Sequence, residues 1–380
     1  MFNVRRIATA LVVGVAVLGL IAAPSSSQPS LPQDSNKIEI AGSSTVFPLA
    51  TSVVEEFSQE FPEAEVNVRS TGSGGGFDLF IPKETDINNA SRPIKASEIE
   101  RAKEAGTKFI ESLVAFDGLT VAVDQETNIW KEGNQPCMTF GELQLLWSAA
   151  SEGIVTNWSD LGSRFADEPI TLSGAATTSG TFDFFTEKVT GKEDDSREDY
   201  FATEEDSQLV ERVSENPLEL TYFGFAFFVN NQDAVQPVAI DPSRGTVDAP
   251  QSILDEYNAA REEAGLSTVS NSADSCQGVA PSTDSIGAFD YPITRPLFFY
   301  TNPVSAQRPM VQNYVNFFLD EQRIGSQEFV LDVGYVTASE TLREASRQCW
   351  ENRVTGTAFG GSLPGSGKEI REAYTSHCSQ

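Results

Sequence analysis

Three times along this chain a short apolar segment gives way to Gly, Ser and Thr and then to an apolar or helical stretch. Ile38 and Ile40 alternate with polar neighbours, and Gly42-Ser43-Ser44-Thr45 follows. From Pro48, the residues Leu49, Val53, Phe57 and Phe61 recur at four-residue spacing. That spacing predicts a helix with Pro in its first turn and Pro62 beyond its end. Val66 and Val68 alternate again, so the chain opens strand–helix–strand, with a crossover length that suits a parallel pair. Ser70-Thr71-Gly72-Ser73-Gly74-Gly75-Gly76 comes after the second strand and before the apolar stretch Phe77 to Ile81. Ile170 and Leu172 form a later strand, followed by the polar loop Ser173 to Gly180 and a helix from Thr181 to Val189 that stops at Gly191. Strands alternating with helices in this way predict an α/β fold with a mostly parallel sheet.

Other segments read less distinctly. Leu113 to Val123 is apolar with Asp117-Gly118 inside it, and Thr139-Phe140-Gly141-Glu142 is a capping box opening a helix through Leu143, Leu146 and Trp147. Lys192 to Asp206 is acidic and is expected to be a solvated surface segment. Asp241 to Asp284, rich in Ser, Asp and Gly, reads as an excursion with one helix around Ile253 to Ala264. Pro309 to Phe318 and Thr341 to Trp350 read as helices, and the Gly-rich stretch from Thr355 to Gly367 as loose.

Arg5 and Arg6 precede an apolar run from Ile7 to Ala23, the pattern of an export signal. Pro24 to Ser35 reads as a flexible leader. No Cys stands near the signal junction to take a lipid anchor. Cys137, Cys276, Cys349 and Cys378 in an exported chain imply two disulfides, with three pairings open. The formal charge is -29, and loss of Arg5 and Arg6 makes it two units more negative. Nucleic acid and anionic membrane surfaces need a basic footprint, so both are excluded as partners. His377 is the one histidine, which excludes a His-based triad or His-rich metal site in the body of the chain. No cofactor and no metal are expected.

The segments Gly42 to Val46, Gly72 to Gly76 and Thr178 to Thr181 share one physical device. The first turn of a helix has unbonded backbone N–H groups and partial positive charge, and small residues let an anion approach them. Taken singly, each is an ordinary N-cap, and Gly-Ser-Gly-Gly-Gly alone could be a linker. Three converging at the carboxyl ends of parallel strands would hold a tetrahedral oxyanion. Arg92, just after a predicted strand, suits two-pronged anion contact, or else a surface salt bridge.

The ordered motifs Ala41-Gly42-Ser43-Ser44-Thr45-Val46-Phe47-Pro48, Ser70 to Gly76, Asn89-Ala90-Ser91-Arg92-Pro93-Ile94, Asp117-Gly118, Thr178-Ser179-Gly180-Thr181-Phe182-Asp183-Phe184-Phe185, Tyr222-Phe223-Gly224-Phe225-Ala226 and Tyr291-Pro292-Ile293-Thr294-Arg295-Pro296-Leu297 resemble the PstS family, from about Lys37 to Val354. These are the phosphate-binding proteins of ABC transporters. The resemblance implies a two-lobed class II periplasmic-binding fold with the ligand in the cleft. It implies a periplasmic, monomeric receptor that is not an enzyme and that passes inorganic phosphate to a membrane permease. In this fold the chain crosses between lobes twice, here near Ala115 and near Ile293. Residues 1–35 are then signal and leader, 36–115 and 293–380 the first lobe, and 116–292 the second. That division groups Cys137 with Cys276 and Cys349 with Cys378, and implies those two disulfides.

Carried over by position, phosphate contacts fall on Ser44, Thr45, the Val46 amide, Ser73, Ser179, Gly180 and Thr181. Some members have Arg where this chain has Ala175, and Asp where it has Arg92, so Arg92 is inferred to replace the missing charge. Asp117 is the candidate carboxylate for telling hydrogen phosphate from sulfate, since it can accept a proton that sulfate lacks. Its other readings are a hinge-turn Asp or the salt-bridge partner of Arg92. Asp183 is a second candidate, or a simple complement to its helix dipole. The competing functions are a secreted phosphatase-like enzyme, against which stand the missing Walker-type Lys and His cluster, and a binding protein for another tetrahedral oxyanion.

Overall fold

The computed structural model describes residues 36–243, 246–272 and 276–380; the signal and leader expected in residues 1–35 lie outside the described residues. The elements run β1 (Lys37–Gly42), α1 (Phe47–Glu60), β2 (Glu65–Ser70), α2 (Gly72–Phe80), β3 (Ile87–Ala90), α3 (Ala96–Glu104) and the long β4 (Ile110–Asp124). Then come β5 (Cys137–Thr139), α4 (Phe140–Trp147), β6 (Thr171–Ala175), α5 (Gly180–Thr190), β7 (Phe201–Thr203), α6 (Asp206–Glu215), β8 (Glu219–Gly224), α7 (Phe225–Val229) and β9 (Val235–Pro237). The excursion supplies β10 (Ala239–Asp241), β11 (Thr246–Val247), α8 (Gln251–Glu263), β12 (Ser270–Asn271) and α9 (Thr283–Gly287). The chain continues with β13 (Thr294–Thr301), α10 (Pro309–Phe318), α11 (Gln327–Asp332), α12 (Glu340–Glu351) and α13 (Gly367–Cys378).

The fold is mixed α/β with mostly parallel pairing, as the alternation of strands and helices implied. The main sheet has the order β2-β1-β3-β13-β4-β8-β6-β7, with β9 added beside β4. Within it β1 is parallel to β2 and β3, and β6 is parallel to β7 and β8. These two parallel sets are joined through antiparallel β13 and β4. β13 pairs with β4 only as far as Gly118, and β8 takes over from Leu119 to Val123. One 15-residue strand thus belongs to two half-sheets, and fourteen of its residues are buried. A strand covered on both faces reads as an unbroken apolar run, which is why Leu113 to Val123 shows no clean alternation. β2, at the sheet edge, has four of its six residues exposed and none buried. Leu49, Ala50, Val53 and Phe57 are the buried face of α1, at the spacing the sequence displays. No helix among the described residues is long and apolar enough to cross a membrane.

Disulfides join Cys137 to Cys276 and Cys349 to Cys378. Two expectations need correction. The acidic segment after Gly191 is not simply solvated: Asp195 and Arg197 are buried. Arg261 of α8, itself wholly buried, bonds Asp195, the Thr190 carbonyl and the Ser267 carbonyl. The acids of this segment are therefore partly interior, because the excursion folds down and brings them a cation. The Gly-rich stretch after Thr355 is not loose at its start either. The Gly356 amide donates to the Phe109 carbonyl at 2.9 Å and the Ala358 amide to Glu111 Oε1 at 3.1 Å.

Glu111 lies wholly inside the protein, with Tyr300 donating to its Oε2 at 3.0 Å. Burial pushes its carboxyl up to about 7, against donors from Thr357, Ala358 and Tyr300 that favour the anion. The native state therefore holds a proton on Glu111 that the unfolded chain releases above its ordinary value of 4.5. Stability from this group should rise as pH falls from about 7 to about 4.5. Melting temperatures across that window are expected to climb less on acidification in Glu111→Gln than in the wild type; parallel curves would show that Glu111 does not titrate there.

Candidate functional site

The helix starts that follow the carboxyl ends of β1, β2 and β6, together with the segment after β3, line one cleft. After β1, Ser43 is buried and its Oγ accepts from the Thr45 amide at 3.1 Å and the Val46 amide at 3.3 Å. This turn leaves Ser44 exposed and Thr45 half-buried at the start of α1. Tyr335 donates its hydroxyl to the Thr45 carbonyl and fixes the turn from outside. Burial, and then the charge of Asp117, hold the Tyr335 phenol well above its usual range, so it stays a donor.

The second start differs from expectation. The glycines after Thr71 are not a loop before a helix; they are the first turns of α2 itself. Poor helix formers hold this shape because of how close α2 lies to β1. A Cβ on Gly76 would stand 1.8 Å from Asn88 Oδ1 and 2.5 Å from the Gly42 Cα. Gly42 has φ near +138°, and a Cβ there would meet the Asn89 carbonyl at 2.0 Å. Only bare backbone lets α2 sit this deep. Ser73 then reaches the segment after β3, accepting from the Ser91 amide at 3.1 Å.

The third start is a capped helix. Ser179 is the N-cap of α5, and its Oγ accepts from the Thr181 amide at 3.2 Å. Gly180 presents open backbone, with nothing within 4 Å of a notional Cβ.

A cavity of about 560 Å³ is lined by Ser44, Thr45, Ser73, Arg92, Gly180 and Asp183 together. A second, of about 270 Å³, adjoins it through Ser44, Thr45 and Gly180 and adds Asp117, Ser179 and Thr181. Of the residues singled out in the sequence, only Val46 lines neither cavity, being wholly buried with its amide on Ser43.

The charges sit differently from the sequence reading. Arg92 holds Glu98 with both terminal nitrogens, at 2.9 and 2.8 Å, and lies over Phe77. Asp117 is not its partner. Asp117 pairs with Arg295, directly across the β4–β13 ladder, whose Nε and Nη2 both reach Oδ2 at 2.8 Å. Arg295 lines both cavities and was not among the candidates. Its signal was present, as a cation in strand β13 between buried Ile293 and Leu297. Ser91 and Lys95, local neighbours of Arg92, and Tyr335, which reaches Thr45 from 290 positions away, also line the cavities and were not among the candidates. The larger cavity is also lined by Lys95 and Lys188 and by the carboxylates of Asp183, Glu187 and Glu193. Asp183 is held above its usual range by burial and then by Asp194, and Glu193 by burial and then by Asp183. Among the described residues no group of three or more His, Cys, Asp or Glu could hold a metal ion.

The profile of the PBP superfamily domain matches residues 24–322. Protein SphX of Synechocystis is 31% identical over 364 residues, covering 95% of this chain and 94% of its own. A phosphate-binding protein PstS of Staphylococcus aureus is 28% identical and covers 79% of this chain and 77% of its own. The crystal structure of a possible phosphate binding protein from Planctomyces limnophilus is 35% identical with a TM-score of 0.66, over 83% of this chain and 98% of that one. The two half-sheets sharing β4, the cleft between them and these likenesses agree with the resemblance carried by the motifs: the chain belongs to the PBP superfamily, among relatives named SphX and PstS.

Proposed function

We propose that this protein is an extracytoplasmic receptor that binds inorganic phosphate between its lobes and delivers it to an ABC permease. One observation carries the reading: three helix starts on opposite half-sheets open onto one cleft that also holds two guanidinium groups. The phosphate-binding names of the PstS relatives and of the Planctomyces limnophilus protein point the same way. The ligand set is Ser44, Thr45, Ser73, Arg92, Ser179, Gly180 and Thr181, with the Val46 amide recruited from its bond to Ser43. The lobes are residues 36–115 with 293–380, and residues 116–292. They close by bending β4 and β13 where β4 changes partner. The receptor works as a monomer, without cofactor, and releases its ligand chemically unchanged.

The magnitudes suffice. Micromolar affinity needs about 8 kcal/mol. Hydrogen bonds to a charged group contribute roughly 1.5–3 kcal/mol each. Eight or so donors meet this after desolvation, although a chain of net charge -29 slows the approach of an anion. Equilibrium dialysis with labelled phosphate tests the reading, and absence of saturable binding ends it. Phosphate release from a chromogenic ester by clean protein would favour a phosphatase instead.

Asp117 sets selectivity in this scheme. Oδ2 is occupied by Arg295, and Asp117 lines the inner cavity, so Oδ1 is the acceptor for a proton carried by the ligand. Sulfate brings no proton and meets a bare carboxylate. In Asp117→Asn, millimolar sulfate is expected to compete with phosphate at least tenfold better than in the wild type. An unchanged sulfate profile would remove Asp117 from the selectivity role.

A further inference from the structure

Arg295 stands within the motif Tyr291 to Leu297, yet none of the phosphate contacts carried over by position falls on it. It lies on β13 at the point where β4 passes from one half-sheet to the other, paired in register with Asp117. Its guanidinium stacks 4.2 Å from the ring of Phe184, a residue of α5 on the opposite half-sheet. Nε and Nη2 are taken by one Asp117 oxygen, while Nη1 has no protein partner among the described residues. The side chain is 16% exposed, and its exposed part lines the two cavities where Ser44, Thr45 and Gly180 meet. A planar cation fixed along one edge, covered on one face and open at its remaining end is a preorganised anion contact. Arg92, by contrast, has both terminal nitrogens on the buried carboxylate of Glu98, and Nη1 also on the Pro93 carbonyl.

We propose that Arg295 is a second guanidinium that grips the bound oxyanion, and the stronger of the two. It rests on the receptor reading above and deepens it. Asp117 orients Arg295, and Phe184 ties its plane to the helix whose first turn supplies Ser179, Gly180 and Thr181. An anion on the open end of Arg295 therefore touches the crossover strand and both lobes at once.

The test is isothermal titration of the full chain with inorganic phosphate at fixed ionic strength, with thermal melts of each variant. Arg295→Met is expected to weaken binding at least a hundredfold and Arg92→Met about tenfold. Arg295→Lys should lose at least tenfold, because a point charge cannot hold Asp117 and the anion in one plane. Arg295→Met leaves a carboxylate unpaired and could fail to fold. The double variant Asp117→Asn/Arg295→Met removes that charge, and its loss relative to Asp117→Asn alone reads the contribution of Arg295. A folded Arg295 variant binding within threefold of wild type overturns the proposal alone. A wild-type protein that does not bind phosphate overturns the receptor reading, and this proposal with it.

Discussion

Ser179→Asp is expected to abolish phosphate binding while leaving the fold intact. Aspartate caps a helix as well as serine does, so the bond to the Thr181 amide is kept and α5 should not fray. What changes is that a full negative charge, absent from serine, now faces the ligand. Two like charges 4 Å apart repel by about 4 kcal/mol at an effective dielectric of 20, which is roughly a thousandfold in affinity. Ser179→Asn is the control: it caps without charge and should weaken binding less than about tenfold. Titration calorimetry and melting curves on the pair separate electrostatics from stability. If the Asp and Asn variants bind alike, the anion does not sit at the α5 terminus.

The largest effect on stability is expected from Arg261→Ala. Arg261 is fully buried and holds Asp195, whose side chain is 5% exposed, together with the carbonyls of Thr190, before the excursion, and Ser267, within it. Removing one member of a buried ion pair leaves the other charged and dehydrated, at a cost of about 3–5 kcal/mol. Arg261→Met with Asp195→Asn removes both charges and should recover a good part of that loss. Urea denaturation measures both, and a loss below about 1 kcal/mol for Arg261→Ala would mean that water or another cation reaches Asp195. Phosphate affinity in the folded fraction is expected to stay near the wild-type value, since none of these groups lines the cleft.

Much of the fold could be read from the chain because local rules and global packing agree. Leu49, Val53 and Phe57 mark the buried side of α1, and Thr139 with Glu142 forms the capping box the pattern announced. The segments that misled are those where tertiary contact overrides propensity. Glycines usually break helices, but in α2 they allow the approach to Gly42 and Asn88. An acidic run usually faces water, but Asp195 turns inward to a cation 66 residues away. The candidate site was legible to the same degree. Helix starts are local and were found; the partner of each charge is not. Glu98 is six residues from Arg92, and Asp117 is 178 residues from Arg295, yet nothing in the spacing distinguishes them as partners.

The anchoring of α13 has a consequence for the order in which this chain can assemble. Tyr374 accepts from the Leu113 amide across 261 positions, and Cys378 is tied to Cys349 beneath the same strand. As the polypeptide is made from its amino end, Glu111 and the middle of β4 must wait for some of the last residues to arrive. Residues 119–287 meanwhile contain the partners that β6, β7 and β8 need. This half can condense first, and the half that begins the chain is finished only at its close.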